Sequence, residues 1–186
     1  MKLLLALAIA AVPASDGIAA FAGGRVTSPD GKWAVWAAPA DADNERAAAI
    51  ARLNGPGVRN RELMRFARKI DVIWPREPGR VLIVEHTIHF SAVNAYTLAP
   101  AEDGADRIQS DLDRAMAAHL PKLGTIENRG IKFGQAGTET CVLVEESGLP
   151  PGRQTGSFLV RSGAFRLDLA KRCAVPIAEC PAARID

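Results

Sequence analysis

The sequence has no excess of charge of either sign: 23 basic residues face 21 acidic ones, for a formal net charge of +2. A nucleic-acid binder would show a basic face well beyond that balance, so nucleic acid is excluded as the expected partner. No apolar run after residue 12 approaches the roughly 20 residues needed to cross a bilayer, which excludes stable membrane insertion of the rest of the chain. Cysteine is scarce, with three in 186 residues, and none follows the N-terminal apolar run to accept a lipid. There is no C-x-x-C pair, no G-x-S-x-G elbow and no phosphate-binding glycine loop. No cofactor is implied by any motif.

The N-terminus reads as a secretory signal. Met1-Lys2 gives a short positive start, Leu3 to Val12 is apolar throughout, and Val12-Pro13-Ala14 supplies small residues at a cleavage site. The signal is assigned to residues 1–14, with cleavage as late as 22 also compatible with Ala20 and Ala22. The expected location is exported, periplasmic or secreted. In such a compartment disulfides form, and three cysteines leave one thiol over. The expected bridge joins Cys173 to Cys180 around a small C-terminal loop; Cys141 could pair with either, since spacing does not fix connectivity.

Residues 25–172 read as a single β-rich domain, followed by an irregular tail over 173–186. The leading signal is Ser28-Pro29-Asp30-Gly31-Lys32-Trp33. Pro29 presets φ, Asp30 can bond its own backbone and Gly31 accepts φ > 0, so a turn is predicted there. The strand behind it puts Trp33, Val35 and Ala37 on one face and Trp36 on the other. Further strands are predicted at 47–53, 62–68, 70–74, 81–84, 92–98, 131–133 and 138–145. Two more, 157–161 and 164–169, are predicted as a hairpin about Ser162-Gly163. Between residues 105 and 120, Ile108, Leu112, Met116 and Leu120 recur every four positions, with Asp103 as N-cap and Pro121 as stop. This amphipathic helix, near 106–120, should cover the open face of the sheet. Its polar face mixes acids and bases, unlike a membrane-surface helix.

The turn has an echo. Trp74-Pro75-Arg76-Glu77-Pro78-Gly79-Arg80 is again a Pro/Gly turn with a basic residue after the glycine, leading into Val81-Leu82-Ile83-Val84. Gly31 and Gly79 lie 48 positions apart, close to the roughly 40–45 residues of a propeller blade. Ser28, Pro29, Asp30, Gly31 and Trp33 resemble the S-P-D-G type of β-propeller repeat found in WD-like and translocation-system propellers. Trp74 and Gly79 resemble a degenerate second copy. The resemblance covers residues 25–98 and implies an antiparallel β-meander like one blade, or an open curved sheet. It implies no activity, because such repeats serve enzymes and scaffolds alike.

For chemistry, Glu85-His86-x-x-His89 offers zinc-type ligands, but positions three apart on a strand face opposite ways. No catalytic, cofactor or metal residue is therefore assigned. The leading functional expectation is a non-catalytic module binding a protein or another component of the cell envelope. One alternative is a small envelope hydrolase or metal-dependent enzyme using His86 and His89. The other is an assembly protein whose open sheet edge pairs with another chain.

Overall fold

The computed structural model describes residues 16–19, 24–40, 49–99, 108–136 and 139–181. The signal segment 1–14 and the proposed N-cap Asp103 lie outside them. The fold is mainly β: three four-stranded antiparallel sheets and, among the described residues, one helix, with no closed barrel.

The first sheet is a meander of β2 (Arg25–Thr27), β3 (Ala34–Pro39), β4 (Ala49–Gly55) and β5 (Val58–Phe66), neighbours in that order. Its first turn is the Ser28 motif. Gly31 has φ of 70° and donates to the Ser28 carbonyl at 2.9 Å. Ser28 Oγ donates to Asp30 Oδ1 at 2.6 Å and accepts from the Trp33 amide at 2.9 Å. The Ser28 hydrogen bond, then the Lys32 amide, hold the Asp30 carboxyl below its ordinary pKa. The turn delivers Trp33 onto Gly55, where a Cβ would lie 2.0 Å from the indole ring, so only glycine fits.

The middle sheet has the order β1 (Asp16–Ala19), β6 (Lys69–Ile73), β7 (Arg80–His86), β8 (Ser91–Thr97). It is buried on both faces. Ile70, Val72, Trp74, Val81, Ile83, Tyr96 and Leu98 share a core with Val35, Ala49, Leu53 and Phe66 of the first sheet. Ile73, Leu82, Val84, Val93 and Ala95 face the helix and the third sheet. Double burial explains the unbroken apolar run at 81–84, where a half-wet strand would alternate. Trp33 and Trp74 both serve the first of these cores. The two Pro/Gly turns occupy different places: residues 28–32 join the first and second strands of their sheet, 75–79 the second and third of theirs.

The third sheet is β9 (Thr125–Ala136), β10 (Glu139–Leu149), β11 (Leu159–Asp168) and β12 (Cys173–Ile177), again sequential neighbours. Helix α1 (Ile108–His119) turns Ile108, Leu112, Ala115 and Met116 into the core between the middle and third sheets, and Leu120 packs on the same core. Leu112 is fully buried, a setting in which truncation to alanine costs about 2–5 kcal/mol.

Three expectations are corrected here. Ser162-Gly163 is no hairpin, because β11 runs through it. Gly163 answers a close approach instead: a Cβ there would meet Phe165 at 2.9 Å and Leu120 at 3.1 Å. The region beyond residue 172 is not irregular throughout, since β12 pairs with β11 from Asp168↔Cys173 to Ala164↔Ile177. Pro176 is tolerated there because the strand lies at the sheet edge. The disulfide joins Cys141 to Cys180, with Cα atoms 5.7 Å apart, and Cys173 is free. Extended β12 carries the chain roughly 13 Å away from Cys173 by Ile177 at strand rise, so the small closed loop expected between Cys173 and Cys180 does not form. Cys141 instead meets Cys180 beside Leu143, Ala164 and Ile177 on the outer face of the third sheet.

Candidate functional site

Three places in the fold concentrate side chains that need explaining. The first lies on the middle sheet. A tight turn over 87–90, closed by the Thr87 amide on the Phe90 carbonyl at 2.8 Å, sets His86 directly opposite Ser91. On the other side Lys69 pairs with His86, which places Asp71 two residues along on the same face. His86 Nδ1 lies 2.9 Å from Ser91 Oγ, and Nε2 lies 2.9 Å from Asp71 Oδ2. Lys69 Nζ completes the cluster 3.0 Å from Asp71 Oδ1. Burial pushes the Asp71 carboxyl up, but hydrogen bonds from His86 and Lys69 outweigh it, and its pKa lies below the ordinary carboxylate value.

Carboxylate, imidazole and hydroxyl in series are the parts of a nucleophilic relay. A nucleophile also needs to be reached, with hydrogen-bond donors facing the developing oxyanion. Ser91 is only 6% exposed and sits in a regular strand. The arrangement therefore first of all fastens β6, β7 and β8 together. The sequence reading missed it because it sought a nucleophile within a local motif. The available signal was the hairpin: four turn residues put 86 opposite 91, while Asp71 required the β6–β7 register.

His89 does not join His86. It stands in the turn with Nδ1 3.0 Å from Asn128 Oδ1. The two imidazoles engage different partners, and among the described residues no group of three metal-ligating side chains assembles.

The second place is the third sheet's inner face. Glu146 is completely buried and receives Arg129 Nε at 2.6 Å on one oxygen and Arg161 Nε at 2.7 Å on the other. Arg129 also reaches Asp113 of α1 at 2.9 Å, and Arg161 donates to the Pro121 carbonyl at 2.6 Å. Two guanidinium groups and two carboxylates thus balance in charge, and they tie the helix to the sheet. This cluster has no single-sequence signature, since its members lie on different elements.

The third place is an end of the molecule. Among the described residues, the large hydrophobic side chains that stand exposed are Ile88, Phe90, Phe158, Leu159 and Val160. The register brings them to the same end of the third sheet. Phe90 bridges to Arg129, and the Arg129 amide donates to the His89 carbonyl at 2.7 Å. The next row runs Asn128↔Ser147↔Val160 across β9, β10 and β11. Asn128 Nδ2 donates to Ser147 Oγ at 3.2 Å within that row. The N-terminal half of β11, residues 159–163, pairs with β10 alone, because β12 reaches only residues 164–168.

A recess lined by Glu77, Glu139, Thr140, Leu167, Asp168 and Leu169 holds about 90 Å³. Small-molecule pockets begin near roughly 300 Å³, so it is too small to carry a ligand-binding reading. No helix among the described residues is long and apolar enough to cross a membrane. No protein-family model, no curated protein and no solved structure matches the chain.

Proposed function

We propose that the protein is an exported, non-catalytic interaction module of the cell envelope, and that its contact surface is the apolar end formed by Ile88, Phe90, Phe158, Leu159 and Val160. The observation that carries this reading is their convergence. Isolated exposed apolar residues are ordinary, whereas several gathered at one end of a fold mark an interaction site. Export is supported by the charge, apolar run and small-residue exit of residues 1–14, and by the Cys141–Cys180 bridge, which suits an oxidising compartment. Cleavage after Ala14 would keep Asp16–Ala19, which pairs with β6 from Asp16↔Val72 to Ala19↔Lys69. The likeness to a propeller repeat contributes architecture alone: each sheet has the four strands of a blade.

The test is site-specific photocrosslinking in the producing cells, with the photoreactive residue at Ile88, at Val160, or at exposed Arg65 on β5 as a control. Adducts with an envelope component from the first two positions and not the third are expected; none from either apolar position would refute the reading. A second reading, hydrolysis at Ser91, is favoured by the Asp71–His86–Ser91 series. Labelling by a fluorophosphonate, lost in Ser91→Ala, would replace the first reading with the second.

A further inference from the structure

Between Leu149 of β10 and Leu159 of β11 the chain stands away from the fold. Residues 151–160 are all exposed, and among the described residues no other unbroken exposed run exceeds four. From Pro151 to Phe158 the described residues hold the chain by one hydrogen bond, donated by the Arg153 amide to the Pro150 carbonyl at 3.1 Å. Gly152 and Gly156 have φ of 75° and 132°, and a Cβ on either would meet nothing within 4 Å. Pro150 marks the point of departure, since a Cβ on Gly124 would lie 2.7 Å from its carbonyl oxygen.

This loop carries a single basic residue, Arg153, and no acid. Elsewhere exposed basic residues sit on backbone that is held. The Lys32 amide donates to Asp30 at 3.1 Å and the Lys171 amide to Asp168 at 2.9 Å, each inside a tight turn. Arg25, Arg59 and Arg65 lie in strands of the first sheet, and Arg76 lies between Pro75 and Pro78. Lys122 lies between Pro121 and Gly124, whose amide donates to the Leu149 carbonyl at 2.8 Å. An endopeptidase draws an extended stretch of backbone into its cleft, so exposed, weakly bonded loop tips are cut and laddered strands are spared. Among these basic residues, Arg153 alone meets that requirement without local unfolding.

A cut there would release neither part. Cys141 lies before the loop and Cys180 after it, so the disulfide joins the two parts covalently. The ladder from Cys141↔Arg166 to Gly148↔Leu159 also stays whole, and no residue of the hydrophobic cores falls within 150–158. We infer that the Arg153–Gln154 bond is a processing site for an endopeptidase with an acidic specificity pocket, and that the exported protein is used as two disulfide-linked chains. A carboxylate in such a pocket pairs with the Arg153 guanidinium and selects the bond that follows it. Water adds across the amide, leaving a carboxylate on Arg153 and an amine on Gln154, and the disulfide takes no part. The inference rests on the export half of the proposed reading and goes beyond it. After the cut, Phe158 of the apolar end lies close to a free chain start instead of within a closed connector.

The experiment is intact-mass spectrometry of the full chain recovered from the producing cells with thiols blocked, before and after reduction. Before reduction, one species is expected, heavier than the uncut chain by one water. Reduction should split it into a chain ending at Arg153 and a chain beginning at Gln154. Arg153→Gln should abolish the cut completely, and Arg153→Lys, which keeps the positive charge, should retain it. Both substitutions fall on an exposed side chain outside the cores, and urea unfolding checks that each variant folds as wild type does. A cut that persists in Arg153→Gln would overturn the assignment in favour of indiscriminate nicking of an open loop. The N-terminus of the recovered chain reports export separately. An uncut chain that has lost its N-terminal signal would defeat this inference alone; an uncut chain that keeps it would defeat the export reading as well.

Discussion

Two polar clusters flank the core between the middle and third sheets, and they are built on opposite terms. Glu146 is sealed, with a guanidinium on each oxygen and no exposure of its own. Asp71 is nearly as buried, but its partners face outward: His86 is 21% exposed at its side chain and Lys69 54%. The first cluster spans elements, joining three strands of the third sheet to α1 and the residue 121 carbonyl. The second stays within neighbouring strands of one sheet. A sealed charge must be matched almost completely, whereas a charge under a half-open lid can draw on water when a partner leaves. The difference teaches where this fold is brittle and where it yields.

The largest expected effect comes from breaking the sealed cluster. Glu146→Ala leaves Arg129 and Arg161 facing each other without their shared counterion, and one-sided removal from a buried pair costs about 3–5 kcal/mol. Glu146→Gln keeps the shape and still strips the charge, so it should fall on the same side. Urea unfolding followed by far-UV circular dichroism reads both. A loss under about 1 kcal/mol for either would mean that water relieves the cluster and that the contrast with Asp71 is false.

His86→Ala is the matching cut in the half-open cluster. It removes a hydrogen bond to Asp71 and one to Ser91 but leaves Lys69 on Asp71 Oδ1. Leaving a buried acceptor partly unsatisfied costs about 1–3 kcal/mol. The same unfolding assay should therefore rank His86→Ala below Glu146→Ala. A reversed order would show that the imidazole is the tighter fastening.

The sequence carried the local elements further than their joints. The Ser28 turn was readable because proline, aspartate and glycine each act on their own backbone, and the helix because Ile108, Leu112 and Met116 repeat at its pitch. Gly163 misled because a glycine demanded by the Leu120 and Phe165 side chains looks, in sequence, like a glycine demanded by a turn. Cys173 misled because a strand between two cysteines holds them apart, and Val175 and Pro176 did not announce one. The clusters were hidden for a different reason. Asp71, His86 and Ser91 come from three strands, and Arg129, Glu146 and Arg161 from three more, so each exists only once register is set. The open half of β11 was hidden likewise, since an edge is a property of which neighbour stops short.

The smallest effect of the set is expected from acid acting on the Asp71 cluster. The Asp71 carboxyl has a folded pKa below its ordinary value, so the folded state favours its charged form. The resulting stability is fully present above the unfolded pKa of about 3.9 and is lost as pH falls through the lower folded value. Asp71→Asn removes that linkage while keeping size. The stability gap between wild type and Asp71→Asn, measured by urea unfolding at steps from pH 6 to pH 2.5, should be constant at first and narrow below about pH 4. Asp30 and Asp168, whose carboxyls are lowered by exposed turn contacts, are unchanged in both proteins and cancel in the difference. A gap that holds constant to pH 2.5 would mean that Asp71 is fastened by packing and not by its charge.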